Sequence, residues 1–171
     1  GGKSPTIVLP DADIEIAAKG IAYGIFSSAG QACIAGSRLF IHQSIYETLL
    51  KRLMEITEGL RVGHPEQLNV HMGSLINQKH LESVHRYVEL AKAEGGKVIT
   101  GGEAITDSEF DNGSFYKPTI ITGLSNSAQT CQEEIFGPVL VVIPYENEQD
   151  LIAQANDSCF GLAAGIWTEN Y

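Results

Sequence analysis

Long apolar runs are absent from this chain. The most continuous, Val139 to Pro144, falls far short of the roughly 18 residues a membrane-spanning helix needs. Cations are scarce: 11 Lys and Arg stand against 21 Asp and Glu, for a net charge of −10. A polyanion needs a basic face, so nucleic acid is excluded as a partner. An anionic membrane surface is disfavoured for the same reason. Cysteine is sparse and odd in number, with Cys33, Cys131 and Cys159 and no C-x-x-C pair. No disulfide framework follows from that, and the expected compartment is reducing and cytoplasmic. Neither a G-x-G-x-x-G fingerprint nor a P-loop occurs, so a dinucleotide pyrophosphate is not held by those means. No metal centre is expected either: His80 and His85 do not share a helix face, and Glu82 with His85 has no second such pair to complete a site. The start lacks both a signal-peptide layout and an initiating Met, and reads as the interior of a longer protein.

What is present is ordinary globular material. A length of 171 residues, 43% hydrophobic and 19% charged, suits one domain. Such a chain buries about 70% of its unfolded surface. The hydrophobic period switches repeatedly. Thr6 to Leu9 reads as a strand ended by Pro10, and Ile14, Ala17, Ala18, Ile21, Ala22 and Ile25 then recur as one helical stripe. Arg38 to His42 alternates like a half-buried strand. Ser44 and Glu47 form a capping-box pattern before a helix bearing Leu49, Leu50 and Leu53. A further helix runs from about Asn77 to Glu94, with Glu82 and Arg86 as an i,i+4 pair on its outer face. Strands follow at Val98–Thr100, Tyr116–Ile121, Val139–Ile143 and Ala163–Trp167, with a short helix over Asn147–Ala155. The expected class is α/β: three layers, a largely parallel sheet with helices on both faces. Ligands in such sheets sit beyond the carboxyl ends of the strands, so the loops at 27–37 and 129–138 are expected there.

Two segments carry chemistry. In Gly30-Gln31-Ala32-Cys33-Ile34-Ala35-Gly36 a cysteine sits in a loop of small residues between a helix and a strand. A thiolate there can attack an electrophilic carbon, with its own N–H holding the oxyanion. A buried structural thiol is the competing reading. In Gln132-Glu133-Glu134-Ile135-Phe136-Gly137-Pro138 two carboxylates precede an aromatic and a Gly-Pro turn. A carboxylate can accept from a ribose while the aromatic packs on a ring. A solvated acidic turn plugged by Phe136 competes with that. Asn156 to Ala164 reads as structural, and Cys131 and Cys159, away from any glycine cradle, read as passive.

Taken in order, the segments resemble the NAD(P)-dependent aldehyde dehydrogenase superfamily. Gly1-Gly2-Lys3-Ser4-Pro5 is similar to the end of its E-L-G-G-K-x-P motif. Gly30-Gln31-Ala32-Cys33, the F-Y-K-P-T of Phe115 to Thr119, Glu133 to Pro138, and Phe160-Gly161-Leu162-Ala163-Ala164 match in turn. The resemblance implies a catalytic-domain fold over 1–171 with Cys33 as nucleophile. It implies Glu134 as the ribose-holding carboxylate, Phe136 as the aromatic beside the nicotinamide, and NAD or NADP as cofactor. The expected reaction takes a small-molecule aldehyde to a carboxylate through a thiohemiacetal and a thioester on Cys33. The family's general-base Glu, its oxyanion Asn, its cofactor-binding domain and its oligomerisation segment match no residue here. The chain is therefore expected to be a catalytic fragment, inactive alone as a dehydrogenase, of an enzyme that assembles as a homodimer or homotetramer. The alternatives are a CoA-acylating semialdehyde dehydrogenase, a non-redox cysteine esterase, or a scaffold module.

Overall fold

The computed structural model describes residues 1–110 and 112–170. Six strands form one sheet: β1 (Pro5–Val8), β2 (Arg38–His42), β3 (Lys97–Thr100), β4 (Thr119–Thr122), β5 (Val139–Tyr145) and β6 (Gly165–Trp167). Their order across the sheet is β3-β4-β5-β2-β1-β6. All neighbours are parallel except the β3–β4 pair. The helices are α1 (Ile14–Phe26), α2 (Tyr46–Glu58), α3 (Gln78–Ala93), α4 (Gln129–Gln132) and α5 (Glu148–Asn156). The β1-to-β2 crossover steps one way across the sheet, and the β4-to-β5 and β5-to-β6 crossovers step the other. Right-handed connections then place α1 on one face and α4 and α5 on the opposite face. Helix α1 packs on α2, and α3 packs on α4, which fills both layers. No helix among the described residues is long and apolar enough to cross a membrane.

Local signals explain most boundaries. Asp13 caps α1 by accepting from the Ile16 N–H at 2.8 Å. Asn77 and Asn147 do the same for α3 and α5. The α1 stripe buries Ala17, Ala18, Ile21, Ala22 and Ile25 as expected, and α3 buries Leu81, Val84, Val88 and Ala91.

Three local expectations fail. Strand β2 is buried on both faces, not half-buried. It lies between β5 and β1, and its alternation in sequence comes from the terminal polar residues Arg38 and His42 alone. The capping box does not form. Helix α2 begins at Tyr46 with no side-chain cap, because the Ser44 hydroxyl pairs with His42 Nδ1 at 2.7 Å inside a preceding 3₁₀ turn. Arg86 turns to the Ser83 hydroxyl at 3.1 Å in place of Glu82. That face is open to water, where an ion pair gains little.

Arg38, at the start of β2, is 1% exposed. Its Nε donates to the Lys3 carbonyl at 2.8 Å, just before β1. Its Nη1 donates to Asn126 Oδ1 at 2.8 Å and to the Gln154 carbonyl at 3.0 Å, and Nη2 donates to the Ala155 carbonyl at 2.9 Å. Gln154 and Ala155 lie in the last turn of α5, where the dipole favours a cation. The guanidinium also lies over the Phe40 ring, 5.6 Å from its centroid. One side chain thus joins the starts of β1 and β2, the loop at Asn126 and the end of α5.

Arg38→Met keeps the bulk and strands three acceptors in the interior: the Lys3 and Ala155 carbonyls and Asn126 Oδ1. Each buried unpaired group costs about 1–3 kcal/mol, so a loss of at least about 3 kcal/mol is expected in urea unfolding. A loss below about 1 kcal/mol would contradict the role assigned to Arg38.

Candidate active site

The motif loops meet at the amino ends of the parallel strands, not at the carboxyl ends. Gly2 precedes β1, Cys33 precedes β2, Glu134 and Phe136 precede β5, and Ala163 precedes β6. The reason is topological. Each crossover helix carries the chain back from the carboxyl end of one strand to the amino end of the next, so a loop after the helix and before the strand lies at the amino edge. The rule for ligand sites beyond carboxyl ends does not apply to these loops.

The Cys33 loop starts with a strained reversal. Ser28, Ala29 and Gly30 follow one another in the left-handed region at φ 53°, 54° and 70°. Two of them are not glycine, at a cost of order 1–3 kcal/mol each. Gly30 is obligatory for a second reason: any Cβ there would overlap the Gly137 carbonyl. This backbone-on-backbone contact draws the Cys33 loop and the 132–138 segment together. Cys33 and Ile34 are exposed at the tip. Among the described residues, the Cys33 N–H donates to no backbone acceptor.

Gly2 lies between the two segments. Its N–H donates to Glu134 Oε1 at 2.9 Å. A Cβ on Gly2 would stand 2.5 Å from the Cys33 carbonyl oxygen. Cys33 and Glu134, 101 positions apart, are therefore separated by the thickness of one glycine backbone.

The paired carboxylates divide their work. Glu133 accepts from the Tyr87 hydroxyl at 2.7 Å and from Gln129 Nε2 at 2.8 Å, which ties it to α3 and α4. That hydrogen bond raises the Tyr87 phenol above its usual range. Glu94, at the end of α3, caps α4 by accepting from the N–H groups of Gln129 at 2.7 Å and Thr130 at 3.2 Å. Glu134, with Gly2, Ala32 and Phe136, lines a cleft of about 10 Å³, room for a single water. Phe136 is 40% exposed, at φ 57°. A groove of about 510 Å³ lies on the other side of the loop, lined by Ala32, Ile34, Tyr23, Ala163 and Ala164 among others. Ala32, next to Cys33, faces both.

Cys131 is fully buried, and burial pushes its thiol up to about 11. Cys159, read as passive, is exposed. Lys3 is 2% exposed, its Nζ has no hydrogen-bond partner among the described residues, and burial lowers its ammonium to about 8. Sequence reasoning passed over Lys3, because a lysine in a Gly-Gly-Lys-Ser run gives no sign of burial. His80 was weighed there only as a metal ligand, and its Nε2 lies 2.6 Å from the Phe136 carbonyl. No group of three or more His, Cys, Asp or Glu among the described residues is placed to hold a metal.

The model of the aldehyde dehydrogenase family matches residues 1–171. The chain belongs to the aldehyde dehydrogenase family. It is similar to the NAD+ complex of an aldehyde dehydrogenase from Bacillus cereus, at 42% identity and a TM-score of 0.94 over 99% of this chain and 34% of that one. It is similar to betaine aldehyde dehydrogenase from Staphylococcus aureus in complex with NAD+, at 36% identity and a TM-score of 0.97 over 99% of this chain and 34% of that one. A 3,6-anhydro-L-galactose dehydrogenase in complex with NADP gives 36% identity and a TM-score of 0.97 over 99% and 36%. The chain spans about a third of the length of these aldehyde dehydrogenase structures.

Two outcomes follow for the native chain. Of its three cysteines, Cys33 and Cys159 should react rapidly with a thiol reagent, and Cys131 only after unfolding. Rapid titration of all three would contradict the burial of Cys131. The second concerns pH. The folded Lys3 ammonium titrates near 8, below its ordinary 10.5. Its contribution to stability is therefore present above 10.5 and lost as pH falls through 8. Cys131, raised from 9.0 to about 11, acts oppositely, and only as pH rises above 9. Between pH 8 and 9 the wild type should gain stability over Lys3→Met by up to about 1.4 kcal/mol per pH unit. Parallel urea stability profiles for the two would exclude a buried, depressed Lys3.

Proposed function

We propose that residues 1–171 are the cysteine-bearing catalytic part of an enzyme that oxidises an aldehyde to a carboxylate with NAD or NADP. One observation supports this reading: the Gly2 N–H donates to Glu134 Oε1 while the Gly2 backbone sits against the Cys33 carbonyl, so the residues proposed as nucleophile and as hydroxyl-binding carboxylate flank one glycine. The relatives solved with NAD+ and NADP support the choice of cofactor.

The cleft itself has room only for a water, but the chemistry of Glu134 and Phe136 at its mouth suits a nicotinamide riboside. Glu134 spends Oε1 on Gly2, and its second oxygen can accept from ribose hydroxyls. The half-exposed Phe136 ring offers a flat apolar wall to a pyridine ring, and glycines at 2 and 30 let backbone come close where a Cβ would intrude. When bound, the nicotinamide supplies the hydride acceptor.

The chain's own work is done by Cys33. Its thiolate attacks the aldehyde carbon and forms the C–S bond of a thiohemiacetal. The carbonyl oxygen takes up the electron pair, and the Cys33 N–H donates to it. After the hydride has left the carbon, the thioester on Cys33 is open to water, which breaks the C–S bond, releases the carboxylate and restores the thiol. The groove bearing Ala32 and Ile34 is the aldehyde side, small and apolar beside the sulfur. No residue here matches the family's general-base glutamate, so the 171-residue chain is proposed to lack dehydrogenase turnover.

The test uses an activated ester, which needs no hydride acceptor. Mass spectrometry of the native chain should find the acyl group on Cys33, and Cys33→Ala should lose it. Acylation confined to other residues would sink the assignment of Cys33. Steady NADH formation from an aldehyde by the 171-residue chain would overturn its proposed incompleteness.

A further inference from the structure

Three residues on one stripe of α3 grip the Glu133–Gly137 segment. His80 Nε2 lies 2.6 Å from the Phe136 carbonyl. A carbonyl only accepts, so Nε2 carries the proton and donates. Val84 packs where a Gly137 Cβ would otherwise stand, at 2.6 Å. Tyr87 donates to Glu133 at 2.7 Å. Positions 80, 84 and 87 fall on one helix face at i, i+4 and i+7. The first turn of α3 is itself fixed, since the Asn77 side chain accepts from the His80 N–H at 2.8 Å. It is also tied to the nucleophile loop: Gln31 Oε1 accepts from the Ile76 N–H at 2.9 Å.

Phe136 is the residue in this segment that needs holding. Its φ of 57° lies in the left-handed region, unfavourable for a bulky side chain by about 1–2 kcal/mol. The conformation persists only where surrounding contacts over-determine it. Gly137 and Pro138 are buried on one side and Ile135 is buried on the other, but the Phe136 ring is 40% exposed and packs too little to fix its own backbone. The two rings meet edge to face with centroids 6.2 Å apart. The carbonyl hydrogen bond and this ring contact both come from His80.

We propose that His80 is a positioning residue of the cofactor wall. Its Nε2–H holds the Phe136 carbonyl, keeps Phe136 in the left-handed conformation, and so keeps the ring on the cleft beside Glu134. The inference rests on the reading of Glu134 and Phe136 as that wall.

The experiment compares the 171-residue chain with His80→Leu, which fills the space without a donor, and His80→Gln, whose amide restores one. The first readout is ligand-free: the Phe136 amide–Hα coupling and the Phe136 and Gly137 amide shifts by NMR, with the thermal midpoint as a check on folding. His80→Leu should move Phe136 out of the left-handed region with the midpoint within a few degrees of wild type, and His80→Gln should return it. A His80→Leu chain that keeps the wild-type Phe136 coupling and shifts overturns the inference. So does a His80→Gln chain that resembles His80→Leu. The second readout is titration with nicotinamide mononucleotide, followed at the Glu134–Gly137 amides. His80→Leu should bind it about tenfold more weakly, the effect of losing one ordinary hydrogen bond, and His80→Gln should recover most of that. If the mononucleotide leaves these amides unmoved in the wild type, the cofactor reading fails, while the ligand-free readout still decides whether His80 holds Phe136.

Discussion

The buried Arg38 guanidinium is the constraint on which the amino edge of the sheet depends. Its fixed fork reaches the Lys3 carbonyl before β1, the Asn126 side chain before α4, and the last carbonyls of α5. A lysine has no such geometry: its donors all sit on one nitrogen and cannot reach acceptors spread around a planar fork. Each of these partners lies within a few residues of a motif. Lys3 follows Gly2, Arg38 closes the Cys33 loop, Asn126 leads into the 132–138 segment, and α5 runs into the loop before β6. A charge taken out of water is costly, and here four acceptors meet it, among them the Ala155 carbonyl at the end of α5.

Above this anchor the site is assembled by close backbone approach. Gly30 against Gly137 and Gly2 against Cys33 are contacts no side chain could share. Gly30 also closes a left-handed run in which Ser28 and Ala29 bear strain, so the loop that presents Cys33 is held under tension by its neighbours. The buried Lys3 ammonium, which has no hydrogen-bond partner among the described residues, is a second local expense. Such departures from the comfortable local choice cluster where sequence resemblance places the chemistry, as expected when function competes with stability.

The acidic pair shows how the fold separates look-alike residues. Glu133 is consumed by Tyr87 and Gln129, and Glu134 faces Gly2 and the cleft. Helix α3 makes that division, since Tyr87 holds the first carboxylate while His80 and Val84 fix the residues beyond the second. The side chain of Glu134 is thereby left over for a ligand, and the proposed cofactor role follows from what its neighbour is doing as much as from its own position.

The sequence by itself determined the α/β class, the α1 and α3 stripes, the buried β5 run and, through ordered motifs, the family. Those properties are periodic or local, and hydrophobic spacing or a short motif records them directly. It also singled out Cys33, Glu134 and Phe136. Only the tertiary structure decided that these lie at the amino ends of the strands, that Ser44 leaves its cap for His42, that β2 is covered on both faces, and that Lys3 and Arg38 are buried cations. Each of these depends on what a distant segment places alongside. Crossover direction sets which sheet edge a loop reaches, and the burial of Arg38 depends on distant acceptors such as Asn126. His80 belongs to the same group: nothing in Gln78-Lys79-His80 records a carbonyl 56 positions further along the chain.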